Sequence, residues 1–228
     1  MIDSGYIERN YNALLAEIKA VAGGRKIDLV AVTKSGSDEE LLALAALGVT
    51  DIGENRPQEL KRRGELLAAA GFSPRLHQIG SLQKGNVKYI IDGVAMIHSV
   101  DSLALAEKIS RLATERGRVV PVLVEINSAR EEQKGGIMPE DVDDFVSSLS
   151  AYPNIRVRGL MTMAPRCNSK DEYLKYFSLT KEIFDRLFKD KGDAILSMGM
   201  SESYEYAIMA GANMVRVGSA VFGERKYI

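Results

Sequence analysis

Asp28-Leu29-Val30-Ala31-Val32-Thr33 is a short β-branched run, separated by Lys34-Ser35-Gly36-Ser37 from Asp38–Leu47, where Leu41, Leu42, Ala45 and Ala46 recur at helical spacing. An apolar run without polar alternation suits a parallel strand covered on both faces, and the amphipathic segment after it suits the covering helix. This β-then-α unit recurs along the chain. Strands are predicted at Asp28–Thr33, Thr50–Gly53, Arg75–Ile79, Ala95–Val100, Val119–Ile126, Val157–Thr162, Ala194–Met198 and Met214–Val217, eight in all. Further helices are predicted at Pro57–Ala70, Ser102–Arg116, Pro139–Leu149 and Lys170–Lys189, with short ones after the seventh and eighth strands. Another, over Asp3–Val21, precedes the first strand and stops at Gly23-Gly24. Pro57 suits a helix start, Ser102 a cap and Gly117 a stop. Eight such units in about 200 residues predict an α/β fold, a single (β/α)8 TIM barrel with an extra N-terminal helix. A doubly wound open sheet is the alternative, because the pattern does not prove closure. No Pro-, Ser- or Gly-rich linker divides the chain, so residues 1–228 are read as one domain.

Composition narrows the function. Hydrophobic residues make up 46% and charged residues 27% of the 228, an ordinary soluble globular balance. Thirty Lys and Arg stand against thirty-one Asp and Glu, for a net charge of −1, without the basic excess of a chain that grips phosphate backbones. Nucleic acid is therefore not the expected partner. One Cys excludes an internal disulfide framework and a Cys-rich zinc site, and two His argue against a His-rich metal site. No apolar run reaches the roughly 18–20 residues that span a bilayer. Met1–Asn12 carries Asp3, Glu8 and Arg9 rather than a signal-peptide core. A cytoplasmic, monomeric chain without a membrane partner is expected. There is no Gly-x-x-x-x-Gly-Lys-Ser/Thr phosphate loop and no Rossmann Gly-x-Gly-x-x-Gly.

In a barrel, function collects at the C-terminal ends of the strands. Lys34 ends the first strand. It reads either as a surface residue opening a loop or as a partly desolvated amine, a better nucleophile toward a carbonyl and suited to a Schiff base. Gly53-Glu54-Asn55-Arg56 follows the second strand, where Asn55 offers donor and acceptor or caps the helix at Pro57. His77 ends the third strand and His98 lies in the fourth; each is a satisfied core histidine or a functional one. Ser197-Met198-Gly199-Met200-Ser201 and Val217-Gly218-Ser219-Ala220 follow strands seven and eight, a region that binds phosphate in many barrels. Arg216, inside the last apolar strand, needs a partner: a ligand at the mouth or a carboxylate. Glu131-Glu132-Gln133-Lys134-Gly135-Gly136 reads as a lid-like loop or a solvated charge run. Cys167 lacks a local base, and the methionines at 198, 200, 209 and 214 read as core filler. A lysine on strand one and a phosphate cup after strands seven and eight together suit pyridoxal phosphate, which has an aldehyde, a phosphate and a ring nitrogen.

The sequence also resembles the pyridoxal phosphate homeostasis protein family, the single-domain relatives of the alanine racemase barrel. The matching segments are Leu29-Val30-Ala31-Val32-Thr33-Lys34, Gly53-Glu54-Asn55-Arg56-Pro57-Gln58-Glu59, His77-Gln78-Ile79-Gly80-Ser81-Leu82-Gln83, Ser99-Val100-Asp101-Ser102 and Glu132-Gln133-Lys134-Gly135-Gly136. Gly159-Leu160-Met161-Thr162-Met163, the distinctive Leu196-Ser197-Met198-Gly199-Met200-Ser201, and Val215-Arg216-Val217-Gly218-Ser219-Ala220-Val221-Phe222-Gly223 complete the set, in the family's order and over nearly the whole chain. The resemblance implies pyridoxal 5'-phosphate on Lys34 as an internal aldimine and Arg216 facing the pyridine nitrogen. It implies phosphate contacts from Ser201, Gly218, Ser219 and the Met200 backbone, with Asn55 and His77 near the cofactor. One departure stands out. Where the family runs Leu-Gln-x-Asn-Lys, this chain has Leu82-Gln83-Lys84-Gly85-Asn86.

An arginine stays protonated at ordinary pH, so it donates a hydrogen bond without passing its proton to the ring, which weakens the ring as an electron sink. A two-base racemase also needs an acid or base on each face of its substrate. Lys34 supplies one and no second is evident, and the end of the chain at Ile228 leaves no room for the second domain of the related racemases. The expectation is a pyridoxal phosphate carrier in vitamin B6 homeostasis, with no catalytic residues and no metal, passing its cargo to amino acids or apo-enzymes. The alternatives are a small amino-acid racemase and a barrel enzyme acting on a phosphorylated metabolite.

Overall fold

The computed structural model describes residues 5–131 and 133–223. Eight parallel strands close on themselves in chain order: β1 Asp28–Val32, β2 Asp51–Glu54, β3 Arg75–Gln78, β4 Val94–Val100, β5 Val120–Ile126, β6 Ile155–Thr162, β7 Ile195–Ser197 and β8 Met214–Val217. Closure is made by β1 against β8, with Val30 opposite Arg216. This settles the barrel over the open sheet. Around it lie α1 Gly5–Ala22, α2 Asp38–Ala46, α3 Pro57–Ala69, α4 Leu103–Glu115, α5 Val142–Ser148, α6 Lys170–Phe188, α7 Tyr204–Met209 and α8 Ser219–Phe222. Asp3 and Ser4 of the expected first helix lie outside the described residues. None of the described helices is long and apolar enough to cross a membrane.

The alternation of strand side chains makes two cores. Leu29, Ala31, Ile52, Val215 and Val217 face the helices, whereas Val30, Val32, Ile79 and Met214 fill part of the barrel interior. Met96, Leu123 and Met161 form a second apolar group inside, and Ile195 packs against both. Gly159 lets β6 approach β7: its φ is +146°, and a Cβ there would meet the Ile195 carbonyl oxygen at 1.9 Å.

The helices start as their caps dictate. Ser37 and Glu40 form a reciprocal capping box ahead of α2, and Pro57 opens α3. Arg56, not Asn55, occupies the cap position of α3, and Ser102 precedes α4 without a side-chain cap bond. After β3 the pattern changes. A 3-10 helix, Lys84–Tyr89, replaces the α-helix of a standard unit, consistent with two poor helix formers, Gly85 and Asn86, in a six-residue stretch. The Pro139–Leu149 segment is likewise divided, with 3-10 turns at Pro139–Asp141 and Leu149–Ala151 on either side of α5.

Candidate functional site

At the C-terminal end of the barrel a cavity of about 440 Å³ opens between the loops after β1, β2, β3, β6, β7 and β8. Lys34, Asn55, Met200, Ser201, Arg216, Gly218 and Ser219 all line it. Four separate strand ends, those of β1, β2, β7 and β8, thus deliver these residues, which the sequence singled out, and Met163 and Arg166 after β6 and Tyr173 of α6 join them.

Lys34 is the second residue past β1 and is exposed, so the partial burial expected of its amine is not found; the side chain stands at the open mouth. Its loop is nevertheless rigidly held. Arg63 of α3 donates to the carbonyls of Thr33 and Gly36, both at 2.8 Å. Its Nε lies 3.2 Å from Glu54 Oε1, which accepts a 2.6 Å bond from the Thr33 hydroxyl. Burial pushes the Glu54 carboxyl up, against the opposing pull of the Thr33 hydrogen bond and the Arg63 charge. Asn55 lines the rim and its carbonyl accepts from Gln78 Nε2 at 2.9 Å; the same amide also donates to the Gly80 carbonyl.

The loops after β7 and β8 are tied together. The Gly218 N–H donates to Ser201 Oγ at 3.3 Å, which leaves the Ser201 hydroxyl proton free to be given elsewhere. Gly218 passes so close to β1 that a Cβ would meet the Val32 carbonyl oxygen at 2.8 Å. The Met200 N–H is engaged by Ser203 Oγ at 3.2 Å, so Met200 contributes its side chain rather than this donor. Met200 and Met209 are exposed, unlike Met198 and Met214, so only part of the methionine set is core.

Arg216 is 3% exposed and points into the barrel. Its hydrogen bonds go to the Ser197 carbonyl at 2.9 Å, the Ser197 hydroxyl at 2.7 Å and the Thr162 carbonyl at 3.0 Å, not to a carboxylate. Burial pushes its guanidinium down to about 10, which the charge of Glu125 opposes, and it stays cationic at neutral pH. Glu125 itself is pushed up to about 7 by burial, with Asp101 adding to the rise and Arg216 opposing it.

His77 is not among the cavity-lining residues. It lies deeper in the barrel, between Asp51 Oδ1 at 2.7 Å and His98 Nε2 at 2.9 Å. Lys134 does not line the cavity either; it pairs with Glu131 in a loop that Asn127 ties down through both the N–H and the carbonyl of Glu131. Glu132 of that loop lies outside the described residues. Cys167 donates to the Pro165 carbonyl at 3.3 Å, and burial pushes its thiol up. Among the described residues no cluster of His, Cys, Asp and Glu could hold a metal ion. Arg63, Asp51 and Ser197 went unassigned in the sequence, although an acid opening an apolar strand and an arginine on a buried helix face are both signals of a hidden partner.

Residues 2–226 match the family described as alanine racemase, N-terminal domain. The pyridoxal phosphate homeostasis protein of Aquifex aeolicus is 36% identical over 211 residues, covering 92% of each chain. That of Helicobacter pylori is 35% identical over 87% of this chain and 88% of its own. Among solved structures, PipY of Synechococcus elongatus, determined with PLP bound, superposes with a TM-score of 0.83 at 28% identity, over 95% of this chain and all of that one. Clostridium difficile alanine racemase, at 22% identity and a TM-score of 0.74, shares the fold over 57% of its length. A family match over nearly every residue, and relatives above 30% identity across nearly their full lengths, place the chain in the pyridoxal phosphate homeostasis protein family.

Proposed function

We propose that the chain binds pyridoxal 5'-phosphate through Lys34, holds this reactive aldehyde in an exchangeable form and so serves pyridoxal phosphate homeostasis. The observation that carries the reading is the meeting of an amine, a buried guanidinium and a hydroxyl-rich pair of loops on one cavity of ligand size. The donor set fits the ligand group by group. Lys34 supplies the amine for the aldehyde. The hydroxyls of Ser201 and Ser219, with the turn that begins at Ser219, supply donors for the phosphate. Arg216 supplies an N–H toward the ring nitrogen. Asn55 and Met200 close the rim. The names of the curated relatives and the ligand of PipY support the same assignment.

When bound, the cofactor brings an electrophilic carbonyl carbon and an electron-withdrawing ring. Lys34 Nζ would join that carbon with loss of water, and an incoming amine would take over the carbon and release Lys34 as the free amine. Amino acids and apo-enzymes are the acceptors this chemistry suits. Arg216 holds its proton at neutral pH, so it orients the ring without protonating it, which favours carriage over carbanion chemistry such as racemisation.

Titration of apo-protein with pyridoxal phosphate is expected to raise a visible band near roughly 420 nm that Lys34→Ala lacks. Borohydride reduction should fix the ligand's mass on Lys34. Absence of a band in both proteins would overturn the assignment. Enzyme-like incorporation of solvent deuterium at an amino acid Cα would replace the carrier by a racemase.

A further inference from the structure

A buried polar chain runs from Arg216 to the opposite end of the barrel. Arg216 Nη1 donates to Ser197 Oγ at 2.7 Å, and that hydroxyl lies 3.2 Å from His98 Nδ1. His98 Nε2 lies 2.9 Å from His77 Nδ1, and His77 Nε2 lies 2.7 Å from Asp51 Oδ1. Asp51 Oδ2 also accepts from Arg75 and from Thr50, each at 2.7 Å. Asp51, His77, His98, Ser197 and Arg216 sit on β2, β3, β4, β7 and β8, and all are 3% exposed or less.

The donor directions follow from one end. Asp51 is held ionised: burial pushes it up, but hydrogen bonds from His77, Arg75 and Thr50 outweigh this and leave it at about 2. A carboxylate only accepts, so His77 carries a proton on Nε2. Full burial, then the charges of His77 and Arg216, push His98 well below the usual histidine range and keep it neutral. Its one proton faces either His77 or Ser197, and in both cases Ser197 Oγ is held between His98 Nδ1 and Arg216 Nη1. Arg216 only donates, so a Ser197 lone pair faces it. The two carbonyls that Arg216 also meets can only accept. The hydroxyl has a second partner in His98, which fixes its place beside Arg216. A fully satisfied buried network of this kind holds one geometry.

We propose that Asp51, His77, His98 and Ser197 are positioning residues that lock the Arg216 guanidinium in a single orientation at the cavity floor. The functional half of this inference rests on Arg216 as the ring-nitrogen partner; its structural half does not. Neither histidine touches the cavity, so both act through Arg216.

The experiment is nitrogen-15 NMR of the full chain without added cofactor, where two histidines give two imidazole systems. His77 is expected to carry a proton on Nε2 and His98 to hold a single proton, beside an arginine guanidinium in hindered rotation that Arg216→Lys removes. Ser197→Ala should free that rotation and leave the His77 tautomer in place. Asp51→Asn, four hydrogen bonds from Arg216, should shift the His77 tautomer and still speed the rotation. With pyridoxal phosphate added, each variant should bind about tenfold more weakly with a displaced visible band. Folding is checked by circular dichroism, and if Asp51→Asn does not fold, Arg75→Ala perturbs the same carboxylate from outside. Wild-type rotation in Ser197→Ala and in the folded floor variant would overturn the proposal, as would a His77 ring with no proton on Nε2. Hindered rotation and the expected tautomers, in a wild type that gives no visible band, would uphold the relay and overturn the cofactor assignment instead.

Discussion

Arg63 reaches from α3 to the carbonyls on either side of Lys34 and Ser35, and its Nε rests against Glu54. Removing one partner of so buried a pair leaves a charge without compensation. Arg63→Met is expected to cost about 3 kcal/mol in urea unfolding. Glu54→Gln, which keeps an acceptor for Thr33, should cost about 1 kcal/mol. The double variant should be less destabilised than the sum of the two, and strict additivity would dissolve the pairing. This brace shows where residue-scale legibility ended. Lys34, Asn55, Ser201, Arg216, Gly218 and Ser219 were readable because each sits at or beside a predicted strand end, with a chemistry that stands out from its neighbours. Arg63 was not, because its partners are the backbone oxygens of a loop some thirty residues earlier, which no spacing along α3 encodes. His77 was visible as an unusual residue, but whether its ring faces the mouth or the depth of the barrel depends on the register of β3 against β4.

Among elements, the strands were legible to within two residues at either end, because apolar runs flanked by turn residues mark them plainly. The unit after β3 was the weak one. Its brevity and its Gly85-Asn86 pair favour a 3-10 helix, while the covering of β3 and β4 comes from Leu60, Val87, Ile90 and Leu105, residues gathered from several segments. The β6–β7 contact is tighter than any pattern shows. Gly159→Ala is expected to unfold the protein or lower its stability by more than about 3 kcal/mol, since a methyl cannot coexist with the Ile195 carbonyl and φ is positive. A thermal melt within a few degrees of wild type would refute that contact. By contrast, Ser37→Ala removes one half of a surface capping box and should cost about 1 kcal/mol.

For the whole molecule, the buried acids set the pH dependence. Glu125 has a folded value near 7 against an ordinary 4.5, so the native state binds its proton more tightly than the unfolded chain does. Stability therefore falls as pH rises from about 4.5 to 7, by about 3 kcal/mol from this group in cofactor-free protein. Glu125→Gln should accordingly gain on wild type at pH 8 and match it near pH 4; an unchanged difference across that range would refute the burial argument. Asp51 has the opposite sign. Its folded value of about 2 lies below the ordinary 3.8, so its stabilisation is complete above 3.8 and fades as pH falls through about 2, amounting to about 2 kcal/mol. Asp51→Asn should flatten that acid limb in urea midpoints measured between pH 5 and 2. One consequence of barrel closure concerns the order of synthesis. Lys34 follows the first strand and Arg216 lies in the last, and β1 and β8 pair only once both exist. A ribosome releases the amine well before the guanidinium, so no chain growing short of β8 owns a finished cavity. Under the proposed function, capture is confined to molecules that have completed β8, and a copy that stops short of it cannot withdraw aldehyde from the pool through this site.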